Sequence, residues 1–378
     1  MGTTTSLKKK SNLAHAVAIA GLLAALSAST ASARDRVLQS ACFAATTLGA
    51  MSGESVPSKG DRRFDAGEKP VALLPASPIP VELRGSIRRV DLPKGQKLIA
   101  LTLDLCEDRG EVAGYEGRIF DYLRSENVKA TLFSGGKWLR SHVARAEQLM
   151  TDPLFELANH AEAHRNLRKL DAQAMADEIA GPQRAYEGIR AGLAKTQCAT
   201  GAPEGVQSIP QRLSLFRFPF GACNASALNA VNDAGLLAIQ WDLSSGDPDP
   251  HMDAKAIADQ IVRHVKPGSI IIAHANGRGW HTADALPLVI PKLKALGFQF
   301  VTVSELLAAG KPVITQTCYD SHPGDTDRYD FLGSLKPKTK VPSDLPWAAS
   351  ITPAPPQKHS ARSKDPTHDG ASSFLWPF

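Results

Sequence analysis

Leu98-Ile99-Ala100-Leu101-Thr102-Leu103-Asp104 is an apolar run that ends on a carboxylate, and its reading decides the fold. Short, rich in branched aliphatic side chains and free of glycine and proline, it suits a strand buried on both faces. The pattern recurs at 128–134, 154–159, 214–218, 236–241, 269–274 and 298–303, which makes seven strands. Amphipathic stretches fill most of the gaps: Tyr115 to Ser125, Asp171 to Arg190, Asn224 to Ala234, Asp253 to Val265, Thr282 to Leu296 and Ser304 to Ala309. Several open on a Thr, Asn, Asp or Ser that can cap the first turn. Strand-helix alternation produces a parallel sheet, and seven repeats close more easily than they stay open. The fold class expected is α/β, a parallel barrel.

Working outward, the 378 residues are 43% hydrophobic and 21% charged, a balance that excludes collagen-like, fully disordered and multi-span membrane chains. Residues 1–33 read as a signal peptide. Lys8, Lys9 and Lys10 form a positive start, Leu13 to Leu26 a short apolar core, and Ala31-Ser32-Ala33 a small-residue cleavage site. The alternative, a membrane anchor, is disfavoured because the apolar run falls short of the roughly 20 residues a span needs. Those residues hold three of the 43 basic side chains and none of the 38 acids, so 40 basic face 38 acidic groups in the rest, and no nucleic-acid partner is implied. Residues 34–94, dotted with prolines, read as an irregular N-terminal extension, 95–310 as the barrel domain, and 311–378 as a Pro-rich, largely disordered tail. Export, to the periplasm or beyond, would expose the five cysteines to oxidation. Pairing Cys198 with Cys223 and Cys42 with Cys318 is the expectation, with Cys106 left free, although spacing alone does not fix connectivity.

Residues of catalytic type follow the carboxyl ends of these strands, the rim where parallel barrels build active sites. Asp104 ends the first strand; Asn159-His160 and His164 follow the third; Arg217 and the turn Phe218-Pro219-Phe220-Gly221 follow the fourth. Trp241, Asp242 and Asp247 follow the fifth, and His274 ends the sixth. His160 and His164, four apart, would share one side of a helical turn and a divalent cation. Taken singly, each residue has an ordinary alternative: a loop histidine, an N-cap aspartate, a structural arginine.

Taken together these residues resemble the polysaccharide deacetylases of the NodB homology domain, carbohydrate esterase family 4, over about residues 95–310. Leu101-Thr102-Leu103-Asp104 is similar to the family's first motif, Asn159-His160-Ala161-Glu162-Ala163-His164 to the second, and Arg217-Phe218-Pro219-Phe220-Gly221-Ala222-Cys223-Asn224 to the third. Trp241 to Asp247 is similar to the fourth, and Ile271 to His274 followed by Thr282 to Leu286 to the fifth. The resemblance implies an exported hydrolase that removes N-acetyl groups from an N-acetylglucosamine-containing glycan: peptidoglycan, a chitin oligomer or an exopolysaccharide. It implies a distorted (β/α)7-type barrel, in accord with the seven strands, and a divalent metal, zinc first and cobalt or nickel as alternatives, held by His160 and His164. It assigns Asp104 as base, Arg217 as its partner, His274 as general acid and Asp247 as the orienter of His274. Phe220 and Trp241 become apolar walls for the substrate, with core packing as the alternative.

One departure stands out. Where the family carries a second aspartate, its usual third metal ligand, this chain has Leu105. Glu107 is the expected replacement, with Asp108 or Asp104 as alternatives and the Cys106 thiolate as a further one. The altered motif also leaves room for a metal-independent amide hydrolase, or for a catalytically silent glycan-binding barrel.

Overall fold

The computed structural model describes residues 38–60 and 76–334; the predicted signal peptide and the end of the predicted tail lie outside the described residues. The strands that build the barrel are β1 (Ser86–Asp91), β2 (Leu98–Leu105), β3 (Ala130–Ser134), β4 (Phe155–Asn159), β5 (Leu215–Phe216), β6 (Leu237–Ile239), β7 (Leu243–Ser244) and β8 (Ile270–His274). The hydrogen-bonded order runs β1-β6-β5-β4-β3-β2-β8-β7, parallel throughout. Only three residues separate β6 from β7 in the chain, so one continuous segment pairs with β1 and β5 at its start and β8 at its end. The sheet thereby curls until its ends meet, and Val90 N–H donating to Gly268 O at 2.9 Å closes the gap between β1 and β8. The expected distorted barrel is present.

Alternation along β2 sorts its side chains. Ile99, Leu101, Leu103 and Leu105 face outward into the apolar layer beneath the helices, whereas Ala100 packs with Phe133, Ala158, Ile239, Trp241 and Ile272 inside the barrel. The outer layer is covered by α1 (Gly117–Ser125), α2 (Gly136–Ser141), α3 (Val143–Met150), α4 (Ala172–Leu193), α5 (Ala225–Asp233), α6 (Ala254–His264) and α7 (Thr282–Ala295), while α8 (Val303–Ala309) packs Val303 and Leu306 against the inner cluster. The capping signals hold: Asp171, Asn224 and Asp253 accept the expected backbone N–H groups at α4, α5 and α6, and Thr302 with Glu305 forms a capping box at α8. Helices α2 and α3 are additions to the expected set.

Three expectations need correction. Strand β1 lies in the stretch read as irregular extension, because Ser86-Ile87-Arg88-Arg89-Val90-Asp91 has too few apolar residues to read as a strand. Arg88 is tolerated there because its guanidinium donates to the carbonyls of Tyr319 and Asp320 and lies 3.6 Å from the Tyr319 ring. The predicted strand at 298–303 shrinks to β9 (Gln299–Phe300), paired with β2, while β10 (Lys311–Thr315), in the predicted tail, pairs antiparallel with β1. The disulfides join Cys42 to Cys198 and Cys223 to Cys318, the reverse of the expected partners; Cys106 is free, as expected. The second bridge pins the chain beyond β10 over the rim, where the turn Asp325–Ser334 packs.

Candidate active site

The parallel register places Asp104 on β2 directly beside His274 on β8, so both side chains rise from neighbouring strand ends. Asp104 is buried, and its Oδ1 accepts a hydrogen bond from Arg217 Nη1 at 2.8 Å. Arg217 is itself fully buried, its guanidinium 3.9 Å from the Phe133 ring and 5.5 Å from Trp241. Burial opposes charge on Asp104, but Arg217, with His160 and His274, outweighs it and holds the carboxyl below its ordinary range. His274 Nδ1 lies 2.9 Å from Asp247 Oδ1. Burial works against the imidazolium, yet the Asp247 carboxylate raises His274 above the ordinary histidine value. Asp247 is fixed in turn by Ser245, Thr282 and the His274 backbone N–H.

His160 and His164 do not sit on a helical turn. They flank a loop in which Ala161 and His164 adopt left-handed backbone, φ 63° and 51°, a conformation costly for residues with a Cβ. The loop is held from three sides: Asn159 Oδ1 accepts the Ala161 N–H, Glu178 on α4 accepts the Ala163 N–H, and Ala161 O accepts the Gly136 N–H. Its shape brings the two imidazole centroids to 5.1 Å. His160 Nδ1 lies 3.0 Å from Arg217 O and can bond that carbonyl only as a donor, which leaves Nε2 as an acceptor. Nε2 faces Asp104 Oδ2 at 3.3 Å. Burial lowers both histidines, His164 strongly and with repulsion from His160 and His274 added, which favours the neutral form of each ring.

Two acceptors facing each other, beside a second neutral imidazole, fit a cation. The third donor near them is sulfur: Cys106 Sγ and the His160 and His164 ring nitrogens all lie within 4.8 Å of one another. Glu107, the expected ligand, is not among them. Just past the end of β2, Glu107 turns away from them and accepts from Ser141 Oγ at 2.8 Å and Ala113 N–H at 3.1 Å. Asp108 stays closer, 3.7 Å from His164 Nδ1; burial and the neighbouring Glu111 push its carboxyl up to about 6.

Asp104, Cys106, His164, Phe220, Trp241 and His274 line one cavity of about 220 Å³. Phe220 adopts φ 60° and presses its ring edge-on to His164, centroids 4.5 Å apart. A side chain on Gly221 would come within 2.8 Å of Trp241, which explains glycine in that turn. Trp241 is both wall and core, since it lines the cavity and covers Arg217. The opposite wall comes from the chain beyond Cys318: Asp320 accepts from Trp241 Nε1 at 2.9 Å, Tyr329 stacks on Phe220 at 5.2 Å, and Arg328 also faces the cavity. Arg168 anchors this strap through Thr326, Asp327 and Asp330. The strap residues carry no motif; the Cys223–Cys318 bridge is what brings them here.

A parallel barrel with a buried carboxylate, an imidazole-carboxylate pair and a Cys-His-His group able to hold a cation at one carboxyl-terminal rim has the make-up of a hydrolase. Residues 91–239 match the family model for polysaccharide deacetylase. It is similar to a peptidoglycan-N-acetylglucosamine deacetylase of Bacillus cereus, 25% identical over 219 residues that cover 57% of this chain and 91% of that protein. It is also similar to a chitooligosaccharide deacetylase of Azorhizobium caulinodans, 26% identical over 193 residues, 48% of this chain and 82% of the other. Among solved structures, wild-type BA3943, a CE4 family pseudoenzyme from Bacillus anthracis, aligns with 60% of this chain and 70% of its own at 22% identity and a TM-score of 0.49.

Proposed function

We propose that the protein is an exported deacetylase that cleaves N-acetyl groups from N-acetylglucosamine units of a glycan, with peptidoglycan and chitin oligomers as the first candidates. The observation that carries the reading is the pair of oppositely tuned groups on adjacent strands. Arg217, at 2.8 Å, favours the ionised form of Asp104, and Asp247, at 2.9 Å, favours the protonated form of His274. A base and an acid set apart in this way suit hydrolysis of an amide.

Asp104 takes a proton from the attacking water. His274 gives its Nε2 proton to the departing amine, so that water and acetamide become acetate and a free amino group. Arg217 keeps the carboxylate aimed, and Asp247 fixes the His274 ring with Nε2 toward the cavity. His160 and His164 would hold a divalent cation, zinc by the chemistry of the donors, whose Lewis acidity would act on the acetamide carbonyl and the water. Phe220 and Trp241 would pack against the sugar and the acetyl methyl. Export rests on the lysine-led apolar start of the chain and on the two disulfides, which persist outside the cytoplasm. Among the described residues no helix is long and apolar enough to cross a membrane.

The test is acetate release from a panel of N-acetylated glycans. Asp104→Asn and His160→Ala should each lower the rate by about 100-fold or more, and exhaustive chelation should do the same. Activity that survives chelation but not Asp104→Asn would favour a metal-independent hydrolase; glycan binding without acetate release by any preparation would favour a silent barrel.

A further inference from the structure

Cys106 stands where nothing in the resemblance places a ligand, yet it is the residue that faces the histidines. Leu105 packs in the outer apolar layer and Glu107, just past the end of β2, bonds Ser141 and Ala113, whereas Asp104 and Cys106 line the cavity. The other four cysteines are consumed in two disulfides, which leaves this sulfur as the sole thiol of the chain. It is not held as an inert core thiol. Asn276, fully buried in the loop after β8, donates its Nδ2 to Cys106 O at 2.9 Å and to Cys106 Sγ at 3.2 Å, fixing the backbone and directing a donor at the sulfur. The matching device on His160 is its bond to Arg217 O, which aims Nε2 inward. Outer groups that orient ligand atoms in this manner accompany built metal centres.

We infer that Cys106 is the third protein ligand of the cation, as a thiolate, so that this chain carries a Cys-His-His centre in place of a carboxylate-bearing one. The inference rests on the metal-assisted reading above. Tetrahedral zinc with ordinary bond lengths puts its N and S ligand atoms roughly 3.3–3.6 Å apart, so donors within 4.8 Å need only a small inward movement. Binding replaces the S–H bond with a sulfur-metal bond and releases one proton to solvent. The fourth position remains open toward the cavity for water and substrate. A sulfur donor also sets preference: zinc and cobalt are favoured, and magnesium, calcium and manganese, which seek oxygen, are not.

The experiment uses the full chain with cobalt(II) alone as the probe, read by absorption, with acetate release measured on the same samples. Stoichiometric cobalt should give an intense sulfur-to-cobalt charge-transfer band in the near ultraviolet. Cys106→Ser and Cys106→Asp should both abolish that band, and Cys106→Asp should keep the weaker visible bands of bound cobalt. Zinc should protect Cys106 of the unaltered protein from a small alkylating reagent, and Cys106→Ser should weaken zinc binding by about 100-fold or more. Bound cobalt without the ultraviolet band, alkylation unaffected by zinc, or no metal binding at all would overturn the inference. Acetate release by cobalt-loaded protein lacking the band would remove the thiolate and leave the deacetylase reading intact. The band without acetate release would do the opposite.

Discussion

Asp104 and Arg217 are a buried pair whose members depend on each other. Replacing Arg217 with Met leaves a carboxylate buried without its cation, which should cost about 3–5 kcal/mol in urea-induced unfolding at neutral pH. Because Asp104 lies below the ordinary carboxyl range in the folded state, the stabilisation it brings is complete above that range and is lost as pH falls through its folded value. His274 has the opposite sign. Its stabilising charge is complete below the ordinary histidine value and is lost as pH rises through the raised one. Asp247→Asn should therefore move the alkaline limb of kcat/KM to lower pH; an unmoved limb would mean that His274 is not the acid. At this scale most of the site was legible, since Asp104, His160, His164, Arg217, Asp247 and His274 do converge at one rim. Glu107 was placed by reach alone; past the end of β2 it is held by Ser141 and Ala113, while Cys106 faces the two histidines.

Elements that depend on long-range partners were the least legible. Strand β1 is two arginines wide of an apolar pattern; it is a strand through its pairing with β6 and β10, and the chain beyond β10 takes up the Arg88 guanidinium. The His160–His164 loop has helical spacing but left-handed residues at Ala161 and His164, imposed by hydrogen bonds from α2 and α4. The strap that bears Asp320, Arg328 and Tyr329 reads as polar tail; one disulfide and Arg168 make it a wall of the cavity. If that wall holds glycan, Cys318→Ser or Arg168→Ala should raise KM roughly tenfold, about 1.4 kcal/mol of binding, with a much smaller change in kcat. Equal loss in both constants would point to a disturbed catalytic centre.

Over the whole molecule, strand-helix alternation sufficed to read a parallel barrel with its site at the carboxyl-terminal rim, because each unit declares its own periodicity. The route of closure was not readable, since it depends on β1 and on a segment that changes partners between β6 and β7. The Cys42–Cys198 bridge ties residues 156 apart, and neither cysteine lines the cavity. Its removal by Cys42→Ala with Cys198→Ala should cost about 2–5 kcal/mol of stability and leave kcat of the folded enzyme unchanged. The central claim is that a metal-assisted Asp104-His274 pair deacetylates a glycan, and its most direct test is acetate released from peptidoglycan and chitin oligomers by the zinc-loaded protein and by Asp104→Asn. The account predicts release by the first and a loss of about 100-fold or more in the second. Equal rates from the two proteins, or no acetate from either, would contradict it.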